Sequence, residues 1–317
     1  EFKMVRFGDN MRQVAVTEGD KVEAEIKLGW DVEYRGIGDL VEYMNNVTDA
    51  EVDAKMSEYA SKYDMDTDNI EAVRYQAKTE CGIEKMFADY GYSAFTTNFE
   101  DLWGMEQLPG LAAQNLMSKG YGFGGEGDWK VAAMTAIMKA MSEGMNGGTA
   151  FMEDYTYNLV PGKEGILQSH MLEVCPTIAD GKIGIKVCPL SMGDREDPAR
   201  LVFTSKTGPG IATSLIDLGD RFRLIINDVE CKKVEKPMPK LPVGSAFWTP
   251  QPNLKTGAEA WILAGGAHHT AFSYDLTAEQ MGDWAAAMGI EAVYIDKDTN
   301  IRDFKNELRW NELAFRK

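Results

Sequence analysis

The sequence predicts an α/β protein in two parts: a Rossmann-like α/β domain over residues 1–148 and a β-rich antiparallel barrel or sandwich domain over residues 149–317. In the first half, patterns typical of strands and helices alternate, as they do in a domain with a largely parallel sheet. After Gly147 and Gly148 the helical pattern gives way to short β-prone runs separated by Gly, Pro, Asp and Asn. This change in the sequence pattern indicates that the strands of the second half pair antiparallel.

The first half opens with an alternation of strand and helix patterns. Residues 4–17 predict a strand, a polar loop around Gly8 and a second strand in the run VAVT. Residues 49–89 are rich in Ala, Glu, Lys and Met at helical spacing, so two or three amphipathic helices are expected there. The run SAFTTN then predicts a further strand that ends near Phe99.

A glycine-rich loop over residues 120–127 separates two predicted helices. The first is LPGLAAQNLMSKG, with Pro109 near its start, where proline is tolerated. The second is DWKVAAMTAIMKAMSEG, in which Asp128 suits the N-cap position and Gly144 ends the helix. The sequence thus predicts a loop with a helix on each side.

The second half predicts short strands followed by a mixed C-terminal segment. The β-prone runs are TAFMEDYTY, ILQSHMLEV, IGIKVCPL, ARLVFTS, SLIDLGDRFRLIINDVE, AFWT and EAWILAG. A helix (TAEQMGDWAAAMG), a strand (IEAVYI) and a last helix (IRDFKNELRWNELAF) close the chain.

Composition restricts the class of protein. The chain has 317 residues, 44% hydrophobic and 26% charged, which is typical of a globular protein able to bury a large core. Its net charge of −17 argues against nucleic acid or an anionic membrane as partner. The four cysteines form no CxxC pair, which indicates reduced thiols and a cytoplasmic setting. No stretch approaches the length of a membrane span.

Five polar residues lie in unusual settings. His268 and His269 are adjacent in the run WILAGGAHHTAF, and His170 lies in SHMLEVCP. Glu126 lies inside GYGFGGEGDW, and Glu153 inside the β-prone run GTAFMEDYTY. Carboxylates and imidazoles are costly to bury without a partner, and one divalent cation can serve them all. The set therefore suggests a metal-centred site for Mn²⁺, Mg²⁺, Co²⁺ or Fe²⁺.

Other interpretations of these residues remain open. The glycines at 122, 124 and 127 match a dinucleotide-binding fingerprint, but a helix precedes them where a buried strand is required, and Glu126 would meet the pyrophosphate. A glycine-rich structural turn is the simpler reading. Taken singly, Glu153 is more often an outward charge and His170 a core histidine. If His268 and His269 lie in a strand, they face opposite ways and only one can reach a common site.

A small pocket for a polar substrate is a further possibility. Met11, Phe99 and Tyr155 lie beside turns or beside the candidate ligands. Packing in the core is the ordinary role of such side chains.

Motifs along essentially the whole chain resemble the L-arabinose isomerase family. They are RFGDNMRQVAVTEGDKVEAEIK, FTTNFEDLWGMEQLPGLAAQ, GYGFGGEGDWK, FMEDYTY, SHMLEVCP, EDPARLVF, SLIDLGDRFRL, AWILAGGAHHT and FKNELRWNE. The resemblance implies an L-fucose/L-arabinose isomerase-like fold. It also implies a catalytic Mn²⁺, replaceable by Co²⁺ or Mg²⁺, that is held by Glu126, Glu153, His170 and His269. Of the histidine pair it selects the second.

The same motifs imply the pocket and the reaction. Met11, Phe99, Tyr155 and Met192 map onto substrate-contacting positions, and Met192 departs from the isoleucine common there. The family interconverts L-arabinose and L-ribulose through a cis-enediol, with D-galactose to D-tagatose as a side activity. Glu126 is the expected base, and Glu153 the group that moves a proton between the two oxygens.

The resemblance also raises the question of completeness. Family members have an N-terminal Rossmann-like domain ahead of the motif KMVRFGDN, and their hexamers build each pocket between subunits. We therefore expect that this chain lacks the N-terminal domain. We also expect that it forms a homo-oligomer. The rival hypothesis is a catalytically impaired fragment that only binds metal or sugar, and an oxidoreductase using the glycine loop is a distant third.

Overall fold

The computed structural model describes residues 2–234 and 238–315, and its first half is built on a parallel sheet. The strands of this half are β1 (Phe2–Phe7), β2 (Trp30–Arg35), β3 (Asp64–Met65), β4 (Ala94–Thr97) and β5 (Gly122–Gly124). Four of them form one sheet in the order β2-β1-β4-β5, with every pair parallel. The prediction of a largely parallel α/β sheet is confirmed.

Helices connect these strands. They are α1 (Lys21–Leu28), α2 (Ile37–Asn45), α3 (Asp49–Lys62), α4 (Ile70–Tyr90), α5 (Gly110–Ser118) and α6 (Trp129–Met141). Side chains cap the starts of α1, α3, α4 and α6: for example, Thr48 and Glu51 form a capping box on α3, and the Asp128 carboxylate accepts from the N–H of Val131 at the start of α6. The predicted role of Asp128 as an N-cap is confirmed.

The second half forms a closed barrel. Its strands are β6 (Thr149–Asn158), β7 (Gly165–Ser169), β8 (Gly184–Val187), β9 (Ala199–Val202), β10 (Gly208–Asp217), β11 (Phe222–Lys232), β12 (Ala246–Pro250), β13 (His269–Ser273) and β14 (Glu291–Ile295). Six antiparallel strands run in the order β10-β13-β6-β7-β12-β11, and β11 pairs back with β10 to close the ring. The predicted antiparallel barrel is confirmed.

The remaining elements surround this barrel. Strand β14 joins β11 in parallel, and β3, β8 and β9 form a separate three-stranded sheet. Helices α7 (Leu254–Ala264), α8 (Ala278–Met288) and α9 (Ile301–Phe315) complete the fold. Within the described ranges, no helix is both long and apolar enough to cross a membrane.

A chain of aromatic rings joins the parallel sheet to the barrel. Phe123 in β5 contacts Phe95 in β4, with ring centroids 5.0 Å apart, and Phe151 in β6 at 5.6 Å. Helix α6 packs on β5 and also against β6, β10 and β13. The loop ahead of α6 therefore lies directly against the barrel strands.

Two strand predictions are wrong. The run VAVT contains a 3-10 helix, Ala15–Thr17, instead of a second strand. The run EAWILAG lies in helix α7, which Asn253 caps and whose buried residues repeat at helical spacing from Leu254 onward. The glycine loop also contains the short strand β5, which the prediction of a plain loop omitted.

Candidate functional site

Three barrel strands bring the predicted ligands together. His269, the first residue of β13, pairs with Glu153 in β6, so the two side chains share one face. Glu153 also pairs with Ser169, the last residue of β7, and His170 follows immediately. The strand register therefore places Glu153 between the two histidines.

Glu126 reaches this face from the loop before α6. Its φ of 62° is in the left-handed region, which is uncommon outside glycine and is found at functional turns. Glycine is required beside it, because a Cβ on Gly125 would lie 2.6 Å from Nε2 of His170. The backbone N–H of Met11 donates to the Glu126 carbonyl at 2.8 Å.

The side chains of the four predicted ligands converge. Nε2 of His269 lies 3.6 Å from Oε2 of Glu126, and Nε2 of His170 lies 4.0 Å from Oε2 of Glu153. The two imidazole centroids are 5.6 Å apart, and the Phe151 ring contacts both, at 4.8 Å from His170 and 5.0 Å from His269. The residues that the sequence singled out thus form one cluster.

In both His170 and His269, one ring nitrogen has a hydrogen-bond partner among the described residues and the other has none. Nδ1 of His170 lies 2.5 Å from Oε2 of Glu173, and Nδ1 of His269 lies 3.1 Å from Oδ2 of Asp128. The Nε2 atoms of both rings are buried and have no hydrogen-bond partner. A buried polar atom without a partner needs an explanation. A carboxylate on one ring nitrogen and a free second nitrogen is the arrangement of metal-binding histidines, so these residues fit a divalent cation.

Burial and the neighbouring charges shift the pKa values of the cluster. Burial lowers the pKa of His170, but Glu173 outweighs burial and raises the pKa to about 9. Burial lowers the pKa of His269 despite Asp128. Burial acts to raise the pKa of Glu126, yet the hydrogen bond from His268 and the nearby imidazoles lower it overall. The raised pKa leaves His170 protonated near neutral pH, so a divalent cation that binds its Nε2 would displace a proton.

His268 is closer to the site than predicted. The expectation that only one histidine of the pair reaches it is wrong, because His268 precedes β13 and does not follow the alternation of a strand. Its Nε2 lies 3.3 Å from Oε2 of Glu126, and its ring centroid lies 4.0 Å from that of His269. Ligand atoms of Glu126, His268 and His269 all lie within 4.8 Å of one another.

Of the four predicted pocket residues, two lie beside predicted ligands and two lie in other loops. Met11 bonds the Glu126 backbone, and Tyr155 lies at an irregularity of β6 two residues after Glu153. Phe99 and Met192 lie in separate loops that meet each other, since a Cβ on Gly193 would lie 3.6 Å from the Phe99 carbonyl. Within residues 2–234 and 238–315, no hydrogen bond or ion pair joins Phe99 or Met192 to Glu126, Glu153, His170 or His269.

The structure also explains the glycine fingerprint. A Cβ on Gly122 would lie 2.2 Å from the carbonyl of Ala132, and one on Gly124 would lie 2.4 Å from that of Asp128. These glycines let β5 pack against α6. The Asp128 carboxylate caps the N-terminus of α6, where a dinucleotide phosphate would bind. The geometry therefore disfavours a dinucleotide site.

Sequence reasoning missed two carboxylates. The sequence predicts Asp128 only as a helix cap and gives no role to Glu173, yet their carboxylates contact Nδ1 of His269 and of His170 respectively. Each lies two or three residues from a predicted ligand, Glu126 and His170 respectively, within the same short motif. That proximity was the available signal.

Comparisons with known proteins show what the chain is similar to. Residues 3–144 match the L-arabinose isomerase central domain, and residues 148–291 match the L-arabinose isomerase C-terminal domain. L-arabinose isomerase 1 of Bacillus licheniformis is 59% identical over 99% of this chain and 64% of that protein. The L-arabinose isomerases of Shouchella clausii (57% identical, 99% and 65%) and Clostridium beijerinckii (55%, 99% and 64%) are similar.

The chain spans only 64–65% of the length of these relatives. Its parallel sheet and barrel are consistent with the L-fucose/L-arabinose isomerase-like fold. Two domain models of one family together match nearly the whole sequence. The chain therefore belongs to the L-arabinose isomerase family.

Proposed function

We propose that the chain is a metal-dependent aldose–ketose isomerase that interconverts L-arabinose and L-ribulose, with D-galactose to D-tagatose as a side activity. The names of its relatives support this proposal. The observation that carries it is the pair of buried, unpartnered Nε2 atoms of His170 and His269 beside Glu126 and Glu153.

Glu126, Glu153, His170 and His269 would hold the cation, which we expect to be Mn²⁺, with Co²⁺ or Mg²⁺ as substitutes. When bound, the cation would polarise the sugar carbonyl and offset negative charge that develops on its oxygen. Asp128 and Glu173 fix the orientation of the two imidazoles through their Nδ1 atoms.

Proton transfer falls to the two glutamates. Glu126 would remove the proton from the carbon next to the carbonyl and return it to the neighbouring carbon, through a cis-enediol. Its lowered pKa keeps it ionised near neutral pH, the state that a general base requires. Glu153, which is about one fifth exposed, would move the other proton between O1 and O2 of the sugar. Met11, Phe99, Tyr155 and Met192 would contact the substrate.

A test compares the parent chain with Glu126→Gln. With Mn²⁺ and L-arabinose, the parent should produce ketose. Glu126→Gln should lose roughly 10²–10⁴-fold in turnover and still bind the sugar, because the amide is close in size but cannot act as a base. Turnover close to that of the parent would transfer the role of base to Glu153. A parent that binds Mn²⁺ and sugar but produces no ketose would favour the alternative, a catalytically impaired binding module.

Two further parts of the proposal concern the setting. We place the protein in the cytoplasm, and its four free cysteines are consistent with a reducing compartment. We also propose that it acts as a homo-oligomer, with the hexamer of the family as the expected form and a small sugar as its substrate.

A further inference from the structure

Lys130 occupies an unexpected position. It is the second residue of α6, where the helix dipole disfavours a positive charge, and it is only 2% exposed. Lysine is almost never fully buried unless it is paired. Its contacts should therefore explain why it is there.

The Lys130 ammonium contacts two parts of the chain. Nζ donates to the carbonyl of Val16 at 2.9 Å and to the carbonyl of Glu18. It also lies 3.9 Å from Oδ1 of Asp128. Lys130 thus joins the 3-10 segment after β1 to the carboxylate that caps α6.

Each of these contacts leads to a predicted metal ligand. Asp128 uses its other oxygen, Oδ2, to contact Nδ1 of His269 at 3.1 Å. On the other side, the 3-10 segment is continuous with Met11, because the N–H of Val14 donates to the Met11 carbonyl. The N–H of Met11 in turn donates to the carbonyl of Glu126. One buried ammonium therefore supports His269 and the Glu126 loop together.

We propose that Lys130 is a positioning residue of the metal centre, which orients His269 through Asp128 and holds the Glu126 loop through the segment from Met11 to Glu18. This inference rests on the proposed function, since it requires a cation at Glu126, Glu153, His170 and His269. If Lys130 had only a structural role, its substitution would lower the stability of the protein and leave the metal affinity of the folded protein unchanged.

The chain offers a matched control for that distinction. Lys55 is also a buried lysine, and its ammonium donates to Glu80 at 2.9 Å and to Glu84 at 2.8 Å. These partners lie on α4 and are not among the residues of the site. Lys55→Met therefore removes a buried ammonium, as Lys130→Met does, without touching the metal ligands.

The experiment measures Mn²⁺ affinity by calorimetry on the full chain, with the folded fraction checked by circular dichroism. Lys130→Met should weaken Mn²⁺ binding about 10-fold, at the lower end of the range for residues that support metal ligands. Lys55→Met should bind within twofold of the parent. With Co²⁺ as the probe, the visible absorption spectrum should change in Lys130→Met only. If Lys130→Met does not fold, Lys130→Gln, which keeps a donor for the carbonyls, is held to the same criteria.

Several outcomes would overturn the inference. Mn²⁺ affinity within twofold of the parent in Lys130→Met would contradict it, and so would equal losses in Lys130→Met and Lys55→Met. Asp128→Asn separates the role of Asp128 at His269 from the role of Lys130 behind it. If Asp128→Asn weakens binding and Lys130→Met does not, only the role of Lys130 fails. If the parent itself does not bind Mn²⁺, the proposed metal centre fails and the inference fails with it.

Discussion

At the scale of residues, the site is set by what lies behind each histidine. Asp128 and Glu173 hold the Nδ1 atoms of His269 and His170, so both Nε2 atoms face Glu126 and Glu153. The four residues of the cluster could be selected from the sequence, because a carboxylate or imidazole among glycines or apolar residues is conspicuous. The supporting carboxylates could not, because only tertiary packing decides which side chain an imidazole nitrogen meets.

The histidine pair gives a first test. We expect His269→Ala to lower Mn²⁺ affinity much more than His268→Ala, because His269 is fully buried with a free Nε2, whereas His268 is about one third exposed. We expect Mn²⁺ affinity to fall roughly 100-fold in His269→Ala and less than 10-fold in His268→Ala, since removing a residue that only supports a ligand already costs about 10–100-fold. Calorimetric titration of both variants measures this. Equal losses would make His268 a ligand in its own right.

The glycine next to Glu126 gives a second test. Gly125→Ala should weaken Mn²⁺ binding at least 10-fold, because the added methyl would occupy space 2.6 Å from Nε2 of His170. Gly38→Ala is the matched control: Gly38 lies in α2 with nothing within 4 Å of an added Cβ. It should keep the affinity of the parent and gain about 0.4–1 kcal/mol of stability. Unchanged affinity in Gly125→Ala would contradict the assigned geometry.

At the scale of elements, the long helical patterns predicted their elements correctly, and the two wrong strand predictions both fall on short runs. Helices α3 and α4 repeat apolar residues over many turns, and both were predicted. The run EAWILAG was too short to separate a strand from a helix, and its helical spacing appears only when Leu254 and Gly257 are included. The run VAVT contains three β-branched residues, yet Ala15–Thr17 forms a 3-10 helix. Nζ of Lys130 donates a hydrogen bond to the carbonyl of Val16 in this segment. Such a tertiary contact leaves no local signal.

A buried ion cluster joins α3, α4 and α5. Glu80 is fully buried and accepts from Lys55, Tyr59, Asn115 and Lys119. Nearby Glu58 is partly buried, which acts to raise its pKa, but Lys62, Asn115, Lys119 and Lys55 hold the pKa far below the ordinary value. A carboxylate with a lowered pKa stabilises the fold above its ordinary pKa, and this contribution is lost as the pH falls.

Lys55→Met tests this cluster. It should cost about 2 kcal/mol of unfolding free energy at pH 7, less than for a fully unpaired buried charge because Lys119 still pairs with Glu80. The difference from the parent should shrink below about pH 4, where the carboxylates gain protons in the unfolded state. Urea unfolding at several pH values measures both effects. A difference independent of pH would show that packing, not charge, explains the loss.

At the scale of the whole molecule, several helices expose apolar side chains. Trp310 and Leu313 on α9 are 70% and 73% exposed, and Ile262 on neighbouring α7 is 72% exposed. Large apolar side chains on helix faces often mark interaction surfaces. We therefore expect self-association with closed symmetry. Light scattering at several concentrations should show a mass above that of one chain, and Trp310→Asp should reduce it. A strictly monomeric parent would contradict this expectation.

The central claim is that Glu126, Glu153, His170 and His269 bind one divalent cation. The most direct measurement is anomalous scattering from crystals of the chain grown with Mn²⁺. We predict a single strong peak about 2.0–2.4 Å from Nε2 of both histidines and from an oxygen of each glutamate. A peak held only by Glu126, His268 and His269, or no peak in this cluster at millimolar Mn²⁺, would contradict the account.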